Sequence, residues 1–289
     1  MPQQVLRTLI FLLLSVTATA QELTLYVRPA PKPINWHSPS SLVFSYINNA
    51  IVANKYGKGQ KHAIGHVMVE LKYKERYALV GTTATSNRYM MHKVMHRGWG
   101  LGILFATING KLEEADINQP QLQERAASGE MAYIRYKINA QMFERLWAYL
   151  QEYKARGYDK YYNGENNPRA GKGAGCSAFG HSFLEVGGLQ HILNDSAWKI
   201  DVSVQEGLIG KPIADRRVSI FILMIKARWA KETNKYRRLQ YYEPTLMYKD
   251  VLSKMNNNTI GTKDSVGQAK GIVIDASTLQ PPDEPIWKD

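Results

Sequence analysis

Apolar positions recur along this chain with the period of a helix in some stretches and in the short dense runs of strands in others. In residues 42–55, Leu42, Tyr46, Ile47, Ala50 and Ile51 fall on one helical face, and Ser38-Pro39-Ser40-Ser41 before them is a helix start with proline in the first turn. Residues 62–73 and 77–85 are apolar runs rich in Val and Thr on either side of the charged turn Lys74-Glu75-Arg76, which predicts a β-hairpin. Strands are expected again at 103–108 and 131–138, with 111–130 a polar excursion between them. Asn139 offers an N-cap to a long amphipathic helix carrying Met142, Phe143, Leu146, Trp147 and Leu150, which Gly157 would end. Residues 87–102 have no clear period and read as loop, as does the Tyr-, Asn- and Gly-rich stretch 158–175. From Cys176 an apolar helix-like run continues to Val186 and stops at Gly187-Gly188, and residues 218–225, almost continuously apolar, predict a buried strand. Beyond Lys231 the chain is polar and basic, with one short helical pattern at 248–255 and a Pro-rich end. The pattern is that of an α+β protein with one main domain over 21–230 and a basic C-terminal extension over 231–289.

The first twenty residues change the picture of where this domain works. A basic start, an apolar stretch of roughly nine residues and small residues at Ala18 and Ala20 describe a secretory signal with cleavage near Ala20. No later segment has the roughly 18 continuous apolar residues of a membrane span. The mature chain is therefore expected in the periplasm or outside the cell. An apolar content of 44% argues against disorder, and a net charge of +12 suits an anionic envelope surface; nucleic acid is not expected in that compartment. The basic-aromatic stretch 235–242 is a candidate for such contact, or a plain solvated face.

The chain has one cysteine, so no internal disulfide can form, and an exported free thiol calls for an explanation: burial, an intermolecular bond or catalysis. Cys176 stands in Gly173-Ala174-Gly175-Cys176-Ser177-Ala178-Phe179. A glycine-rich approach lets the backbone turn sharply into a helix, setting the sulfur among first-turn amides that favour thiolate and can face an oxyanion. The alternative is a small apolar residue at a helix start. A thiol nucleophile needs a base, and His66, in the otherwise apolar strand Gly65-His66-Val67-Met68-Val69, is held rigidly enough to serve. His62 would share its strand face if the strand reaches that far, and is the fallback base. Glu70 lies on the same face as a candidate third residue, with Thr83 or Thr85 as alternatives from the paired strand. His181, five residues after Cys176, falls too far round the helix to act as its base. His62-x3-His66 and His92-x3-His96 invite a metal reading, but a strand pair stands too far apart to chelate one ion easily and neither has the glutamate of His-Glu-x-x-His. No metal or cofactor is expected.

Strand histidine, hairpin, amphipathic helix, Tyr/Asn-rich loop and Cys-x-x-Phe opening a glycine-terminated helix follow in an order that resembles the circularly permuted branch of the papain-like NlpC/P60 superfamily, in which histidine precedes cysteine. Gly65-His66 also resembles the Phe-Gly-His segment of the exported DUF4105 (Lnb-like) proteins. The resemblance covers roughly residues 40–190; Gly175 replaces the usual asparagine, and the loop 158–175 is elongated. It implies a permuted papain-like α+β fold and a thiol hydrolase. Cys176 would attack an amide or acyl carbonyl of a cell-envelope peptide, glycopeptide or lipoprotein, and His66 would shuttle the proton. The Lnb-like likeness implies instead an acyltransferase that passes the thioester to an amine. A binding protein on a degenerate papain-like scaffold would keep Cys176 buried and unreactive.

Overall fold

A computed structural model describes residues 21–55, 62–193, 195–231, 233–257 and 260–288; the expected signal segment lies outside these. In chain order the elements are β1 (Gln21–Arg28), α1 (Pro39–Lys55), β2 (His66–Tyr73), β3 (Arg76–Ala84), α2 (Asn87–His96), β4 (Ile108–Glu113), α3 (Ala115–Ser128), β5 (Ala132–Ile138), α4 (Ala140–Ala155), β6 (Tyr161–Tyr162), α5 (Cys176–Gly187), α6 (Gln190–Leu193), β7 (Lys199–Gln205), α7 (Ile220–Ile225), β8 (Tyr236–Tyr242), α8 (Pro244–Asn257), β9 (Thr262–Val266) and β10 (Ala269–Asp275). Eight strands form one sheet in the order β6-β4-β3-β2-β1-β5-β10-β9, and β7 pairs with β8 apart from it. Pairing is antiparallel except between β5 and β10. The chain is thus α+β with a mostly antiparallel sheet.

Strand alternation divides the core between the two faces of that sheet. Val67, Val69 and Val80 face α4, α5 and α8, together with Leu23, Leu25, Phe143, Phe179, Phe183 and Trp198. Tyr26, Met68 and Leu79 face the other way, against Leu122 and Ala126 of α3. Helix α5 lies close on β2: a Cβ on Gly180 would stand 2.6 Å from Val67 Cγ1. A third cluster joins Leu42 and Val43 of α1 to Leu223 of α7 and Leu239 of β8.

The expected α1, hairpin, β5 and α4 stand where the pattern puts them, and Asn139 caps α4 by accepting a 2.8 Å hydrogen bond from Met142 N. Five expectations are corrected. Residues 218–225 do not form a strand: Ser219 caps the short helix α7 by accepting from Phe221 N, and one side of it reaches solvent. The expected strand at 103–108 is a 3-10 turn over Leu101–Leu104, and the strand begins at Ile108. The stretch read as loop holds α2, capped by Ser86, and the polar excursion holds α3, which buries only a narrow stripe against the sheet. The division at residue 231 is no structural boundary either. β10 is hydrogen-bonded along β5, α8 covers the sheet through Met247 and Val251, and Trp287 packs on Tyr149. The strand β1, which the pattern leaves unread, lies between β2 and β5.

Candidate functional site

Cys176 opens α5, as expected, with Gly175 as an N-cap that offers no side chain. Gly173 makes the approach possible: its φ is +75°, and a Cβ there would stand 2.3 Å from Tyr161 O. That close passage holds residues 161–163 against the start of the helix. Ser177 Oγ donates to Tyr242 O at 2.6 Å and fixes the same turn to β8. The sulfur consequently faces the amides of Val67, Ser177 and Cys176 itself, and interacts with the Tyr162 hydroxyl. These donors favour thiolate, yet the residue is 3% exposed, and burial outweighs them and pushes the thiol pKa up. The direction is opposite to that expected from the helix start alone: the resting group is a neutral thiol.

His66 is equally buried but is not hydrogen-bonded to the sulfur. Val67 and Val69 face α5, whereas His66 shares its side of β2 with Met68 and with Glu70. Its ring lies over Gly81, where a Cβ would stand 2.8 Å from Nε2. Among the described residues neither ring nitrogen has a hydrogen-bond partner, so none of Cys176, Glu70, Thr83 and Thr85 is bonded to it. Burial, and then the Arg28 guanidinium, depress the His66 pKa to about 3. Glu70 instead accepts from the Tyr26 hydroxyl at 2.9 Å, and Thr85 donates to Asn109 O. His62 does not lie on the strand, which starts at His66; it stands in the preceding turn, and its ring stacks on that of His66 at 3.8 Å between centroids. A buried carboxylate with no motif around it, Glu113 at the end of β4, joins the pair: ligand atoms of His62, His66 and Glu113 all lie within 4.8 Å of one another.

Between α1, α2, α7 and the end of the sheet lies an apolar cavity of ≈ 200 Å³. Its walls include Val43, Met91, Leu104 and Leu223, and its deep side includes His62, Tyr162 and Tyr241. Tyr162 and Tyr241 also interact electrostatically with the Cys176 thiol, so the sulfur and the cavity share two neighbouring phenols. Outside, α1 and α7 pack together and turn Phe44, Ile51, Phe221 and Ile225 to solvent, the last two 74% and 82% exposed. Arg216, Arg217 and Arg228 flank that patch and are exposed. The stretch 235–242 is the strand β8, with Arg237 and Arg238 on its solvent side and Leu239 and Tyr242 buried.

His181 has a role of its own. It is 3% exposed, stacks on Tyr242 at 4.1 Å, and is ion-paired with Asp195 and Glu185. Burial pulls its pKa down, but hydrogen bonds to the two carboxylates more than offset that, and the net shift is upward. This is a buried polar network that ties α5 to the segment before β7 and to β8. Comparisons of the chain with protein-family models, with curated proteins and with solved structures return no match.

Proposed function

We propose that this chain is an exported thiol enzyme that takes acyl groups onto Cys176 as a thioester, on a permuted papain-like scaffold. The observation that carries the reading is the sulfur at the head of α5, among three amides and beside two tyrosines that also wall an apolar cavity. A cysteine at a helix start packed on an antiparallel sheet is the arrangement papain-like enzymes use, and the cavity suits a hydrocarbon chain better than a peptidoglycan peptide. The acyltransferase side of the resemblance is therefore preferred to the amidase side. In the reaction the sulfur adds to the acyl carbonyl carbon and the thiol proton passes to an imidazole. Collapse breaks the bond to the leaving alcohol or amine, which takes up a proton, and an amine or water then resolves the thioester. Turnover requires the buried sulfur to be uncovered and an imidazole to reach it; His62 lines the same cavity.

The test is incubation with phospholipid and lipopeptide donors followed by mass spectrometry of the intact protein. An acyl adduct on Cys176, released by neutral hydroxylamine and absent from Cys176→Ala, is the expected result. A second reading, a non-catalytic binder of acyl chains, is favoured by the missing His66–Cys176 hydrogen bond and the raised thiol pKa. It predicts no adduct and equal non-covalent binding of the lipid by both proteins.

The same proposal sets the chain on an anionic membrane surface through the α1/α7 patch rather than through 235–242. Removing Phe221 and Ile225 together by substitution with serine is expected to weaken co-sedimentation with phosphatidylglycerol vesicles at least about tenfold, since each large apolar side chain contributes on the order of 1.5–3 kcal/mol when buried. Unchanged sedimentation of the double variant would move the contact elsewhere.

A further inference from the structure

Two buried groups on the α3 side of the sheet have polar atoms that no described residue satisfies. His66, 2% exposed, has no hydrogen-bond partner at either ring nitrogen, and Glu113, 4% exposed, has none at Oε2. Buried polar atoms without partners are rare in folded proteins and call for an ion, a water or strain to account for them. Here they converge. β4 pairs with β3 so that Glu113 stands opposite Gly81, and Gly81 is the residue whose missing side chain leaves room for the His66 ring. The His62 ring completes the group from the turn before β2.

We infer that His62, His66 and Glu113 form a binding site for a single Zn²⁺ ion, whose binding does not require the Cys176 thiol. Two imidazoles and one carboxylate are the donor set of three-ligand zinc sites, which keep a fourth position open. That position would lie toward the apolar cavity, since His62 is part of its wall. The ligand atoms must draw together: they lie within 4.8 Å of one another, whereas donors about 2.0–2.2 Å from one ion stand at most roughly 4.2 Å apart. The parallel rings must also fan open, because stacked imidazoles cannot both aim an in-plane lone pair at one ion. His62 can supply that movement, being in a turn and not in the ladder. The charges nearby are mixed: Lys111 Nζ holds Glu113 Oε1 at 2.9 Å and leaves Oε2, while Arg28 stands opposite His66 on β1. The spacing that argues against a metal in a continuous strand fails as an objection, because only one of the two histidines is in the strand.

The protein has a competing pair. His92 and His96 lie one turn apart on the exposed helix α2, with ring centroids 5.3 Å apart, and such a pair binds divalent ions by itself. Equilibrium dialysis and calorimetry with Zn²⁺ should therefore be run on the full chain and on a His92→Ala/His96→Ala background. One equivalent is expected to remain in that background. It should weaken roughly 100-fold or more in Glu113→Gln and His66→Ala, beyond what even an outer-shell change typically costs. Gly81→Ala keeps all three ligands but puts a methyl group where the His66 ring lies, and should weaken binding as well; circular dichroism checks that each variant folds. Replacing Zn²⁺ by Co²⁺ should give the visible absorption of a tetrahedral ion in the background variant and none in Glu113→Gln. Loss of all Zn²⁺ binding with His92 and His96, or binding that is indifferent to Glu113, His66 and Gly81, overturns the site. A failed acyl-adduct experiment leaves these readouts untouched, because none of them involves Cys176.

Discussion

Phe179→Ala is expected to lower the free energy of unfolding by about 3–5 kcal/mol, the range for deleting a fully buried aromatic ring. Phe179 is fully buried and packs edge-on or tilted against Phe183 and Tyr153, with ring centroids 5.1 and 5.0 Å away. It sits one turn after Cys176 on α5, which packs on β2, so the cavity left behind opens next to the start of that helix. Urea unfolding followed by tryptophan fluorescence measures the loss. A change below about 1 kcal/mol would show that α5 is not the element that seals the core.

Asp195→Ala is expected to cost about 2–3 kcal/mol near pH 5.5, somewhat less than breaking a fully buried ion pair because Asp195 is 17% exposed. The loss should depend on pH in a defined direction. Asp195 has a lowered pKa, so its share of the stability is present above its ordinary value of 3.8 and is lost as the pH falls through the folded value. His181 has a raised pKa, so its share is present below its ordinary value of 6.5 and is lost as the pH rises through the folded value. The difference between wild type and variant is therefore largest between 3.8 and 6.5 and shrinks on both sides. Denaturant curves at pH 5.5 and pH 9 test this; an equal difference at both values would mean that the pair is not charged when folded.

What the sequence made legible follows from where periodicity is a sufficient signal. The helix α4 buries one face, so its apolar positions repeat cleanly behind an N-cap, and the hairpin β2–β3, covered on both faces, is marked instead by two dense apolar runs on either side of a charged turn. The Cys176 helix start was legible from glycines and from Phe179. The fully buried β1 has no alternation to read, because both of its faces are covered. The apolar run at 218–225 was misread because its apolar residues do not all serve a core: Leu223 is buried while Phe221 and Ile225 are not, and a one-dimensional count cannot tell a core from an exposed patch. His66 illustrates a different limit. That it is buried in a strand was evident, but which face it takes depends on where the strand begins, and a one-residue offset decides whether it meets α5 or α3. Glu113 carries no signal in the chain at all; only the pairing of β4 with β3 brings it to the two histidines.

The pairing of β10 with β5 sets the order in which this molecule can be completed. Until Asp275 has been made, β5 presents a free edge from Ala132 to Lys137, with the apolar Ile134 and Tyr136 along it. The sheet therefore waits for nearly the whole chain, and any product ending before that strand carries a bare edge able to recruit a neighbour. Tags or fusions at the carboxyl end should be judged by whether they leave that last strand free to close the sheet.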